Sequence, residues 1–294
     1  MLRTVQDGRA KVLLALGRGW RRAACGAAFL AGLSLSSTAV LAYADLLPPN
    51  FLPPDLGRTL AAYTVPESLP DRASGLPHLA ERVASGDPVR IVAFGSSSTE
   101  GIGASSPRAA YPARLEAALR RALPQRVGGI SVLNRGIGGE HVDDMLRRLD
   151  RDVLAAQPQL VIWQTGSNDP LRGIALDHFR EATIRGIERM REAGIEVVLM
   201  EPQWCPKLDA TPGSYRFRDA VRDIGAALDV PVIRRSDLMR GWIADGRLTR
   251  SQLFAADGLH MADDGYEMLA QAASRQLLRA TGSLTVADAG ASQD

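Results

Sequence analysis

Four short stretches carry the side chains best suited to chemistry. Residues 94–101 read Phe-Gly-Ser-Ser-Ser-Thr-Glu-Gly, with Ser97 inside a hydroxyl run. Residues 134–139 read Asn-Arg-Gly-Ile-Gly-Gly, 165–169 Thr-Gly-Ser-Asn-Asp, and 257–260 Asp-Gly-Leu-His. A hydroxyl, a carboxamide, and an imidazole three residues after a carboxylate are parts of nucleophilic acyl chemistry. A serine hydroxyl attacks poorly until a base takes its proton, and an imidazole with an ordinary pKa of ~6.5 suits that task. Each stretch also has a plainer reading. Ser/Thr runs make hydrogen-bonded turns, glycines make tight strand-to-helix turns, and Asn168-Asp169 is a common helix entry. Asp257 and His260 could be a surface pair. Cys205 follows an apolar run with no histidine nearby, which reads as a core or pocket cysteine.

The elements that must position these side chains alternate along the chain. Apolar runs at 89–94, 130–133, 160–163, 197–200 and 230–233 have strand length and loop residues at their bounds. Between them, residues 141–154 put Val142, Met145, Leu146, Leu149 and Val153 on one helical face. Residues 174–191, 216–228 and 266–277 are helical in the same way. Five strands alternating with helices predict a three-layer α/β/α fold, a flavodoxin-like doubly wound parallel sheet. Such sheets bind ligands beyond the carboxyl ends of their strands, where the polar stretches after the first three strands fall.

The chain has 294 residues, 46% hydrophobic and 23% charged, with a net charge of +2. This is ordinary globular composition, and it gives no reason to expect nucleic acid as a partner. Lys11 and Lys207 are the only lysines, and aromatic residues are 5% of the chain. Cys25 and Cys205 are the only cysteines, so neither a disulfide framework nor a structural zinc site is expected. Residues 1–44 combine a basic start, an uncharged apolar run and Ala42-Tyr43-Ala44. That pattern predicts a signal peptide or an N-terminal membrane anchor, and either would export the remainder of the chain. Cys25 precedes most of the apolar run, a poor fit to a lipoprotein cleavage site. Residues 45–88 are Pro-rich and read as a spacer, 89–281 as the catalytic domain, and 282–294 as a frayed tail.

In this order and at these strand ends, the four stretches resemble the SGNH/GDSL hydrolase superfamily of lipases and acylhydrolases. The resemblance implies that Ser97 is the nucleophile and that the Gly139 N–H and Asn168 amide bind an oxyanion. It implies that Asp257 orients His260, the general base. Losing one oxyanion donor in such a site typically costs about 3–4 kcal/mol. The usual first-block spelling is Gly-Asp-Ser, and Ser96 stands here where the aspartate would be. His78, His141 and His178 read as structural or solvated, with His141 close enough to Gly139 to line the pocket.

The nucleotide-binding alternatives fail on spacing: Gly136, Gly138 and Gly139 break G-x-G-x-x-G, and no P-loop lysine is present. The expected function is therefore an exported serine esterase needing no metal or organic cofactor. Its substrate would be a small-molecule, lipid or glycan ester, with a membrane tether if the N-terminal span is retained. The alternatives are a carbohydrate O-acetylesterase acting on envelope polysaccharide and a noncatalytic envelope module of the same fold.

Overall fold

The computed structural model describes residues 75–123 and 129–283. The expectations for 1–44, for most of 45–88 and for all but the start of the tail lie outside the described residues. The described chain runs α1 (Pro77–Ser85), β1 (Val89–Gly95), α2 (Ser97–Glu100), α3 (Tyr111–Ala122), β2 (Ile130–Gly136), α4 (Val142–Arg147) and α5 (Leu149–Asp152). It continues with β3 (Leu160–Gln164), α6 (Leu176–Glu192), β4 (Glu196–Met200), α7 (Pro206–Asp209) and α8 (Ser214–Leu228). Last come β5 (Val232–Ile233), α9 (Arg235–Ala244), α10 (Arg250–Leu253) and α11 (Asp263–Ala280).

The five strands form one parallel sheet in the order β2-β1-β3-β4-β5, the doubly wound arrangement expected from the alternating pattern. Side chains alternate across it with period two. Ile91, Ala93, Leu160, Ile162, Val198 and Met200 enter one core with Tyr111, Leu115, Trp242 and Tyr266. Val92, Phe94, Val161, Trp163, Val197 and Leu199 enter the other with Leu149, Phe179 and Val221. Each fully buried large apolar side chain contributes roughly 1.5–3 kcal/mol, so the two cores fix the register of the sheet. On α6, Gly186 makes close packing feasible, because a Cβ there would lie 2.5 Å from the Trp163 ring.

Two expectations need correction. The helix expected over 141–154 is two short helices with a break at Arg148, whose backbone sits at φ −109°, ψ 6°. Arg148 is buried at 6% exposure, and its guanidinium reaches Gly95 O, Arg135 O, Glu140 and Asp152. The cation has to turn toward the sheet, and a continuous helix gives way to that. The second concerns residues 75–88, read as the end of a spacer. They hold α1, which puts Leu76 and Leu79 into the core. Its first N–H groups are capped from a distance: Glu196 accepts from His78 N at 2.8 Å and Leu79 N at 3.0 Å.

Candidate active site

β1 ends in Gly95, and the chain turns directly into the four-residue α2 at Ser97. Opening a helix there leaves the Ser97 N–H among the first-turn donors without an intrahelical partner. The turn is tight: a Cβ on Gly136 of the neighbouring strand would fall 2.0 Å from Glu100 N. Only glycine lets β2 pass so close to the last residues of α2.

His260 reaches this turn from a loop closed by a Phe254–Met261 bridge and by Ala255 N–H donating to His260 O at 2.9 Å. His260 Nε2 lies 2.9 Å from Ser97 Oγ, and its Nδ1 lies 2.6 Å from Asp257 Oδ2. The other Asp257 oxygen accepts the backbone N–H groups of Leu259 and His260, both at 2.9 Å. Partial burial alone would raise the Asp257 carboxyl. The ring and backbone hydrogen bonds outweigh it and hold the pKa at about 2. The carboxylate is thus ionised at any neutral pH and favours the tautomer with the proton on Nδ1. Gly103, at φ +92°, allows this approach, since a Cβ there would meet Met261 O at 2.6 Å and His260 Cβ at 3.0 Å. The Gly-x-Gly of residues 101–103 was the available sequence signal for it.

The loop after β2 is held at nearly every peptide. Glu100 Oε2 accepts Gly138 N–H at 2.7 Å, and Arg172 Nη2 donates to Gly139 O at 3.2 Å. Asn168 Nδ2 donates to Glu140 O at 2.8 Å, and Asp144 accepts His141 N–H at 3.2 Å. Asp169 Oδ1 accepts Val142 N–H at 3.0 Å. Gly139 sits at φ +76°, a left-handed conformation that favours glycine. An amide nitrogen carries two hydrogens, so Asn168 keeps a second N–H beyond its loop contact. Ser97, Asp257 and His260 therefore touch in series, while Gly139 and Asn168 are joined through the loop between them.

The remaining candidates take structural places. His141 accepts from Asp143 N–H at 3.3 Å and caps α4, and His178 pairs with Asp143 at 2.9 Å. Cys205 is buried, and burial pushes its thiol pKa up. Among the described residues, no group of three or more His, Cys, Asp or Glu side chains is placed to hold a metal ion. A cleft of about 610 Å³ lies at the opposite pole, where His78, Arg82, Gln157 and Gln159 line it. It shares no residue with the Ser97 cluster.

Asp169 carries a pH signature of its own. Burial raises its carboxyl pKa to about 6 against the Val142 N–H and the nearby His141, and Asp143 adds to the rise. A raised carboxyl pKa means that the native state holds the proton more tightly than the unfolded chain. Its stabilising contribution is complete below the unfolded value of 3.8 and is lost as pH climbs through about 6. Asp169→Asn should flatten the fall in unfolding free energy between pH 4 and 7 by about 3 kcal/mol. Denaturant titrations across that range check this, and an unchanged slope would refute the assignment.

A family model described as the non-GDSL lipase-like family matches residues 62–282. An uncharacterized lipoprotein, YqeF, from Bacillus subtilis (strain 168) is 27% identical over 206 residues, 60% of this chain and 84% of that protein. The solved lipase/acylhydrolase from Enterococcus faecalis is 26% identical and covers 67% of this chain and 97% of its own, with a TM-score of 0.51. Axe2, an acetylxylan esterase from Geobacillus stearothermophilus, is 21% identical over 66% of this chain and 94% of its own, with a TM-score of 0.53.

Proposed function

Given that the chain belongs to the non-GDSL lipase-like family, within the SGNH/GDSL-like hydrolases, we propose that it is an exported serine esterase that removes acetyl groups from polysaccharide. The continuous Asp257–His260–Ser97 relay carries the hydrolytic part of this reading. With Nδ1–H donated to Asp257, the lone pair of Nε2 faces the Ser97 hydroxyl. His260 takes that proton as Ser97 Oγ attacks the ester carbonyl. Negative charge on the carbonyl oxygen is met by the N–H groups of Ser97 and Gly139 and by the free amide N–H of Asn168. His260 then protonates the departing alcohol, and a water activated by the same ring releases the acid. No metal is needed at any step.

The acetyl and polysaccharide parts rest on the similarity to an acetylxylan esterase. Export rests on the basic and apolar pattern of residues 1–44 and on the similarity to a lipoprotein. A series of p-nitrophenyl esters from acetate to dodecanoate, with acetate release from acetylated xylan alongside, tests the substrate class. The expected result is the highest kcat/KM with acetate, falling by about tenfold or more once the acyl chain lengthens by a few methylenes. An optimum at octanoate or longer would overturn the acetyl reading in favour of a lipid ester. Inertness to every ester would favour the noncatalytic module.

A further inference from the structure

Ser96 is the N-cap residue of α2, yet its side chain does not cap the helix. A serine or aspartate there ordinarily turns its oxygen onto an N–H of the first helical turn. Ser96 Oγ instead donates to Gln164 Oε1 at 3.1 Å. The same oxygen accepts Ser96 N–H at 2.9 Å and Thr99 Oγ1–H at 3.2 Å. Three donors from the turn around Ser97 thus converge on one carboxamide oxygen, and Gln164, Ser96 and Thr99 are all at most 1% exposed. Gly95 leaves room for them, because a Cβ there would lie 2.4 Å from Thr99 Oγ1 and 2.8 Å from Gln164 Oε1.

The other end of the amide is equally committed. Gln164 Nε2 donates to Ser167 Oγ at 3.2 Å, and the Ser167 hydroxyl donates to Gln203 Oε1 at 2.9 Å. Gln203 Oε1 also accepts from the fully buried Arg235 at 2.8 Å. The hydroxyl proton of Ser167 is therefore spoken for, which fixes the amide with its oxygen toward Ser96. Donating its N–H into a chain that ends on the Gln203 oxygen polarises the Gln164 amide and strengthens its own oxygen as an acceptor.

We propose that Gln164 is a positioning residue for Ser97, and that serine stands at position 96 because it is the half that matches Gln164. Holding the Ser96 peptide by its N–H orients the next peptide, whose N–H is an oxyanion donor, and aims Ser97 Oγ at His260. An aspartate at 96 would set a carboxylate against the Gln164 oxygen, acceptor facing acceptor. The departure from the usual Gly-Asp-Ser spelling is thereby tied to a residue 68 positions away. The proposal rests on Ser97 being the nucleophile.

The test measures kcat per Ser97 titrated with a fluorophosphonate, using p-nitrophenyl acetate as substrate. Gln164→Met keeps the bulk and removes the acceptor. It should lower kcat per titrated site by about 100-fold, as a misplacement of about 1 Å would, with KM within about twofold. Gln164→Glu keeps an oxygen for all three donors, and the Ser167 hydroxyl can turn to donate to it. This variant should recover to within about tenfold of the wild type. Ser96→Asp should also lower kcat, and by a smaller factor when Gln164 is already Met. A Met variant with wild-type kcat per titrated site, losing only the amount of titratable protein, would overturn the proposal. So would equal losses in the Met and Glu variants. A wild type that neither labels nor turns over any aryl ester would overturn the esterase reading instead, and the catalytic half of this proposal with it. The denaturant midpoints of the Ser96→Asp, Gln164→Met and double variants then decide the pairing, and strictly additive shifts would reject it.

Discussion

Ser97→Ala should lower kcat for p-nitrophenyl acetate by about 10⁴- to 10⁶-fold and abolish fluorophosphonate labelling. The size follows from how the three side chains act together. Ser97 Oγ lies 2.9 Å from a ring that Asp257 holds at 2.6 Å, so removing the hydroxyl leaves the base with nothing to activate. His260→Ala should lose about as much, and the double variant little more, because the pair acts as one unit. A residual rate above water should persist from the oxyanion donors alone. The fold should not suffer, since the turn is held through Ser96, Thr99 and Gln164 rather than through the Ser97 hydroxyl. Thermal melts of the variant should overlay those of the wild type. Undiminished turnover in a folded, pure Ser97→Ala protein would remove the nucleophile from the scheme.

Arg148→Met should cost about 3–5 kcal/mol of stability, a fall in Tm on the order of 10 °C. The guanidinium is 6% exposed and lies 4.5 Å over the Phe94 ring. It donates to Glu140 at 2.7 Å, Asp152 at 2.9 Å, and the carbonyl oxygens of Gly95 and Arg135, both at 3.0 Å. Methionine fills the space and satisfies none of them. Asp152 keeps Arg151 as a partner at 2.7 Å, but Glu140, nearly buried, loses its cation. Breaking one side of such a buried pair is costly because the remaining charge is left uncompensated. Gly95 and Glu140 both adjoin the candidate site, so kcat should fall as well. Urea midpoints of the two proteins check the stability claim, and a shift below about 1 kcal/mol would show the network to be worth little.

The sheet was legible because buried parallel strands announce themselves as short apolar runs, and all five lie within a few residues of their expected places. Ser97, Asp257 and His260 stood out in the sequence because the proposed nucleophile, acid and base must be particular residue types, Ser97 just past a strand and the Asp-x-x-His pair in the loop before the last helix. Their contact was not, since the 163 residues between Ser97 and His260 give no distance. What escaped was the support. Arg148 falls beside the apolar stripe of the expected helix, and nothing local says that its charge turns inward and breaks the helix. Gln164 ends a run of buried strand residues, and only the fold brings it against Ser96. Gly103 and Glu100 come soon after the nucleophile, yet their use depends on loops from β2 and from before α11. Interactions across such separations are set by topology, and single-sequence periodicity does not contain them.

The placement of α1 gives the molecule a direction. Its first turn is tied to Glu196 at the amino end of β4, while Leu76 N–H reaches Ala280 O at the far end of α11. Both ends of the described segment therefore lie on one side, and β1, seven residues long, separates that side from Ser97 by roughly 20 Å.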